Sequence, residues 1–164
     1  EHGNLIDQET AELAARKSAY LVPTLVTYQV LSDTASDSGW SDSMLAKLNV
    51  VKSKGLDAIK FCRDAGVKIG FGTDLLGDSF DAQSDEFLIR SAVEDPADIL
   101  HSATAINAEI LNMEGELGAI AENAIADIIA LDRNPLEDIS VMLGQGENIA
   151  LIMKQGAIYK NNFN

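Results

Sequence analysis

The sequence predicts an α/β fold, and three observations predict it. Two short runs rich in apolar and β-branched residues, 20–27 and 67–73, flank a long stretch with helical apolar spacing. Strands separated by a helical crossover imply parallel pairing. After Gly115 the texture changes to strand-like runs with a turn between the last two, which reads as a small β segment. The 164 residues are enough for one domain, or one domain and a small appendage.

Asp7 is placed to cap a first helix that runs to about Ser18. Glu9 near its start and Arg16 and Lys17 near its end suit the helix dipole, and Thr10, Leu13 and Ala14 give it a short apolar face. Residues 20–27 read as a strand. Pro23 cannot donate to a ladder and belongs near the strand start or at a bulge. Residues 32–43 read as a polar loop with Trp40 as its one apolar anchor. A lid, a binding loop and a plain mobile loop all fit that composition.

Leu45, Leu48, Val51, Gly55, Ile59 and Cys62 recur at helical spacing and predict a long helix over 44–65, closed by Ala65-Gly66. Gly55 costs about 1 kcal/mol relative to Ala in a helix interior, so close packing is expected there. The second strand, 67–73, ends in Asp74. Ser84 to Val93 reads as helical. Asp95, Pro96 and Asp98 then occupy the cap, first-turn and capping-box places of a further helix. Its apolar face is Ile99, Ala103, Ile106 and Ile110. Residues 126–131, 149–153 and 157–159 complete the set as strands, the last two joined by a turn at 154–156.

Composition excludes several functions. Hydrophobic residues make up 46% and charged residues 23%, the balance of a globular protein and not of a disordered one. A formal net charge of −14 argues against nucleic acid and anionic membrane surfaces as partners. The lone Cys62 excludes an internal disulfide framework. No apolar run approaches the roughly 20 residues that a membrane span requires. No signal peptide is visible, and a cytoplasmic location is expected.

Two residues stand where chemistry would be expected. Asp74 closes the run Gly70-Phe71-Gly72-Thr73-Asp74 at a strand's C-terminal end. His2 precedes a loop and a helix, where a strand would end if the chain began earlier. Ligands of parallel α/β sheets and (β/α) barrels gather at such ends. Imidazole and carboxylate both suit a divalent metal such as zinc, and the carboxylate could also take a proton from an activated water. The plainer alternatives are a turn cap for Asp74 and a terminal residue of no special role for His2.

Several segments, in this order, carry a resemblance: Glu1-His2-Gly3-Asn4-Leu5-Ile6-Asp7, Leu21-Val22-Pro23-Thr24, Gly70 to Asp74, Ser102-Ala103-Thr104, Leu117 to Ala121, and Ala126 to Asp132 with Asn134-Pro135-Leu136. The ordered set resembles the amidohydrolase superfamily, in its imidazolonepropionase-related, prolidase-like branch. The resemblance implies the C-terminal part of a metal-dependent hydrolase (β/α)8 TIM barrel, strands six to eight, over 1–115. Part of a small β-sandwich would follow over 116–164. It implies His2 as a metal ligand at the end of strand six, and Asp74 at the end of strand eight as metal ligand and proton carrier. Residues 20–27 would be strand seven, and Tyr28, just past it, would lie near substrate.

The resemblance further implies one or two divalent ions, zinc first among them. The reaction would be amide hydrolysis, of an Xaa-Pro dipeptide or an N-acyl amino acid. The superfamily's His-x-His pair, carbamylated Lys and further His belong to earlier strands and are absent from this sequence. The expected partners are therefore the small-molecule or dipeptide substrate and either a missing N-terminal barrel segment or a second copy of the chain. The alternative reading is a non-catalytic or self-associating packing module with an incomplete metal site.

The remaining candidates read more plainly. His101 reads as a packing or surface residue, and Cys62 as a buried small hydrophobe. Gly70-x-Gly72 is too short to cradle phosphate. Asp74, Asp78 and Asp81 read as a solvated acidic loop, and Glu9, Glu12 and Glu86 as solvated helix faces.

Overall fold

The computed structural model describes residues 1–35 and 39–163. Asp7 caps α1 (Gln8–Arg16) through its carboxylate, which accepts from the Thr10 amide. The first strand, β1, is only Tyr20–Leu21. It pairs in parallel with β2 (Lys68–Ile69), Tyr20 opposite Lys68 and Leu21 opposite Ile69. The Gly70 amide extends the ladder by donating to the Leu21 carbonyl at 2.8 Å. On the other side of β1, the His2 amide donates to the Val22 carbonyl at 2.9 Å, so the chain start lies alongside the strand.

The expected strand over 20–27 stops early because a helix claims its second half. Pro23 has no amide to give, Thr24 takes the N-cap place, and α2 runs over Leu25–Thr34. Leu25, Val26 and Thr27 are helical despite their strand-like composition, because Leu25 and Val26 are buried here against the rest of the fold. Within the expected loop at 32–43, residues 32–34 are the last turn of α2, and 36–38 lie outside the described residues.

The long helix is as expected. α3 runs over Asp42–Asp64, capped by the Ser41 hydroxyl on the Met44 amide. α1 and α2 pack against it. Gly55 is where α3 meets its neighbours: a Cβ there would lie 2.4 Å from Leu25 Cδ2 and 2.9 Å from Asn4 Nδ2. Ala11, Leu21, Leu25, Ile59, Cys62, Val67 and Ile69 form the core between the two strands and these helices.

The chain past β2 explains the two glycines. A Cβ on Gly70 would meet Ile110 Cδ1 at 2.6 Å and Asn107 Oδ1 at 2.7 Å, and one on Gly72 would meet Val22 Cγ1 at 2.7 Å. Asn107 docks on the Phe71 backbone as a strand would, accepting from its amide and donating to its carbonyl, both at 2.9 Å. Gly77–Ala82 forms 3₁₀ turns, and α4 follows at Asp85–Arg90. α5 (Pro96–His101), a π-helical segment (Ser102–Ile106) and α6 (Asn107–Ile110) then follow without a break. Pro96 opens α5, but the Asp95 side chain makes no cap hydrogen bond.

Arg90 ties this half together. Its fully buried guanidinium pairs with both Glu94 oxygens at 2.6 and 2.7 Å, donates to the Gly70 carbonyl at 2.8 Å and reaches the Ser102 hydroxyl at 3.1 Å. A buried ion pair needs such complete satisfaction to offset its desolvation. Last come β3 (Ile128–Leu131), β4 (Ile149–Lys154) and β5 (Ala157–Asn161), an antiparallel sheet in that order. Ile139 and Val141, in a 3₁₀ turn between β3 and β4, are buried where that turn packs on α4. Among the described residues, no helix is long and apolar enough to cross a membrane.

Candidate active site

The C-terminal ends of β1 and β2 bring His2 and Asp74 together. His2 Nε2 lies 3.8 Å from Asp74 Oδ2, and both side chains are partly open to solvent. Both residues have left-handed backbones, φ 62° and 50°, a conformation that costs most L residues roughly 1–2 kcal/mol. Two donors about 2.1 Å from one tetrahedral ion lie about 3.4 Å apart. The observed spacing is close to that, so these two atoms could hold a common metal ion with a small closing movement.

The other imidazole nitrogen is engaged. His2 Nδ1 lies 2.8 Å from the hydroxyl of Thr24, a residue that is 4% exposed. The contact orients the ring, and in the tautomer that leaves the lone pair on Nε2 for a metal, Nδ1–H donates to that hydroxyl. Thr24 is thus part of the site, and residue type alone did not point to it. Its location, just past a strand and beside Pro23, was the available signal.

Tyr28 is in the first turn of α2. Its ring stands edge-on to His2, centroids 6.4 Å apart. Burial chiefly, and the Asp74 charge next, hold its phenol above the ordinary range, so it stays protonated at neutral pH and is able to donate. Tyr28 and Asp74 share a cleft of about 610 Å³ with Thr27, Val30, Leu31, Leu76 and Ser79, and Asp78 stands at its wall. The Thr27 hydroxyl donates to the Asp74 carbonyl at 3.2 Å and fixes the loop that carries it.

Other expectations divide. Cys62 is fully buried, and burial pushes its thiol up, as befits a core residue. His101 is exposed at the end of α5. Glu86 departs from the solvated helix face expected of it and is fully buried. The helix bearing it is short and packs on α2, so its polar residue type misleads about its place. Glu86 Oε2 accepts from the Val26 amide at 2.7 Å, while Oε1 has no partner among the described residues. Desolvation raises its pKa to about 7 against the opposing pull of the Val26 and Leu25 amides and the Arg90 charge. Among the described residues, no group of three or more His, Cys, Asp or Glu could hold a metal.

Over residues 1–158 the sequence matches the amidohydrolase family. The chain belongs to that family. A solved amidohydrolase superposes with a TM-score of 0.94 at 47% identity, over 99% of this chain and 40% of its own. A prolidase solved in complex with N-methylphosphonate-L-proline superposes with a TM-score of 0.91 at 44% identity, over 98% of this chain and 39% of its own. Ochratoxinase of Aspergillus niger is 29% identical over 161 residues, 98% of this chain. The chain spans about a third of the length of that curated relative. The two parallel strands with their helices, and the antiparallel sheet that follows, correspond to the C-terminal portion of the amidohydrolase fold.

Proposed function

We propose that this chain is the part of a metal-dependent amidohydrolase that carries one imidazole ligand, His2, and the proton-handling carboxylate, Asp74. The observation that carries the reading is the convergence of His2 Nε2 and Asp74 Oδ2 at 3.8 Å, with His2 Nδ1 held by Thr24. A divalent ion, zinc by preference, supplies carbonyl polarisation and a lowered pKa for the attacking water when bound. His2 holds that ion through Nε2. The Asp74 carboxylate would also hold the ion, through Oδ2, and it takes the proton of the attacking water and returns it to the leaving amine. Tyr28 donates from the cleft wall to a substrate oxygen.

The substrate in this reading is an Xaa-Pro dipeptide or an N-acyl amino acid. The similarity to a prolidase supports the first. A catalytic zinc takes three protein ligands. We therefore place the remaining ligands on a further barrel segment or a second copy. The test is hydrolysis of Xaa-Pro dipeptides and N-acyl amino acids by the protein at the full length its gene encodes, metal-replete. Turnover of either class supports the reading. No turnover of either rejects the substrate assignment, and an Asp74→Asn variant as active as the parent rejects the mechanism.

A further inference from the structure

The start of α2 presents a problem of supply and demand. The first amides of a helix have no partner within it. A Thr at the N-cap ordinarily offers its hydroxyl to the amide two or three residues on. Thr24 holds the N-cap place of α2 but makes no such bond. Its hydroxyl faces His2 Nδ1 instead, at 2.8 Å. Thr24 is 4% exposed, so water is a poor substitute at this helix start. The amide that Thr24 leaves unserved, Val26 N–H, is taken by Glu86 Oε2 at 2.7 Å, from a residue 60 positions away that is wholly buried.

We propose that Glu86 is a positioning residue for the active site: it caps α2 in place of Thr24 and so reserves the Thr24 hydroxyl for the imidazole of His2. Without Glu86, Val26 N–H is left bare, and the demand falls on the N-cap hydroxyl of Thr24, which would have to rotate away from His2 to meet it. That rotation withdraws the hydroxyl from His2 and frees the ring to turn. The inference rests on the reading of His2 as a metal ligand only for its effect on catalysis. The hydrogen-bond exchange itself does not depend on that reading.

The experiment has two arms, both on the protein at its full encoded length. In the first, ring-¹⁵N-labelled histidine reports the hydrogen-bonded Nδ1–H of His2 by NMR in the metal-free protein. His2→Gln assigns the signal. The signal is expected in the parent, lost in Glu86→Ala and recovered in Glu86→Gln, which keeps an acceptor for Val26 N–H. In the second arm, kcat/KM is measured for Glu86→Ala, Thr24→Val and the double variant. Each single change is expected to lower kcat/KM by about 10–100-fold, the usual effect of losing an outer-shell partner. The double variant is expected to fall within about threefold of Thr24→Val alone, because both act through one hydrogen bond.

Persistence of the His2 signal in Glu86→Ala overturns the proposal, and so do losses that multiply in the double variant. If Glu86→Ala fails to fold, Glu86→Met fills the same volume without an acceptor, and the same two outcomes decide. An inactive parent defeats the proposed function, while the NMR arm still decides the role of Glu86.

Discussion

The two strands that open the fold carry polar clusters at both ends, and the clusters are built in opposite ways. At the N-terminal ends, Tyr20 and Lys68 stand opposite each other and share Glu109. Lys68 pairs with its carboxylate, the Tyr20 hydroxyl donates to it at 3.2 Å, and the Lys68 ammonium sits 5.9 Å from the Tyr20 ring centroid. The Lys68 and Glu109 charges there answer each other. At the C-terminal ends, His2 and Asp74 face each other at 3.8 Å without a direct hydrogen bond, and only the far side of the imidazole is tied down. One end is saturated and the other retains bonding capacity. That capacity, and not polarity, distinguishes the end suited to chemistry, in agreement with where (β/α) barrels place their sites.

The largest loss is expected at the open end. Asp74→Asn is expected to lower kcat/KM by about 10³-fold, within the range for a lost general base. Chelation is expected to abolish activity, and added divalent metal to restore it. Steady-state assays check both.

The next largest effect is on stability. The Glu86 carboxyl has its pKa raised from 4.5 to about 7 in the folded protein. Between those two values the folded state binds the proton and the unfolded state releases it, so stability falls as pH rises through that window. Above it the cost of the buried charge is fully present. Glu86→Gln is expected to flatten this slope and to gain up to about 3 kcal/mol at pH 8. Urea melts at pH 5 and pH 8 read the difference.

Gly70→Ala comes third. The new Cβ meets Ile110 and Asn107 at 2.6 and 2.7 Å, and such overpacking costs about 1–3 kcal/mol. A thermal melt measures it. The smallest effect belongs to the saturated end. Glu109→Gln is expected to leave kcat/KM unchanged and to shift the melting temperature little, since exposed pairs contribute little. A large loss of activity there would erase the contrast between the two ends.

Much of the fold was legible because its signals are local. Asp7 caps the helix it precedes, and the stripe from Leu48 to Cys62 gave α3 its buried face. The alternation of strand and helix gave the parallel pairing. The sequence failed at Leu25–Thr27, where composition favours a strand and the tertiary setting imposes a helix. It gave His2 and Asp74 a common site by resemblance and by strand-end logic, and the two do come together. It gave no role to Thr24 and the wrong surroundings to Glu86. Their bonds span 22 and 60 residues, and no periodicity within one element encodes a partner at that range.

The left-handed backbones of His2 and Asp74 have a consequence for inheritance. Glycine enters that region without steric cost, so replacing either residue with glycine would relax the fold locally. A lineage that no longer used this site would meet little folding resistance to such a change. In a collection of natural variants, glycine at position 2 or 74 would therefore mark the copies that have given up their chemistry.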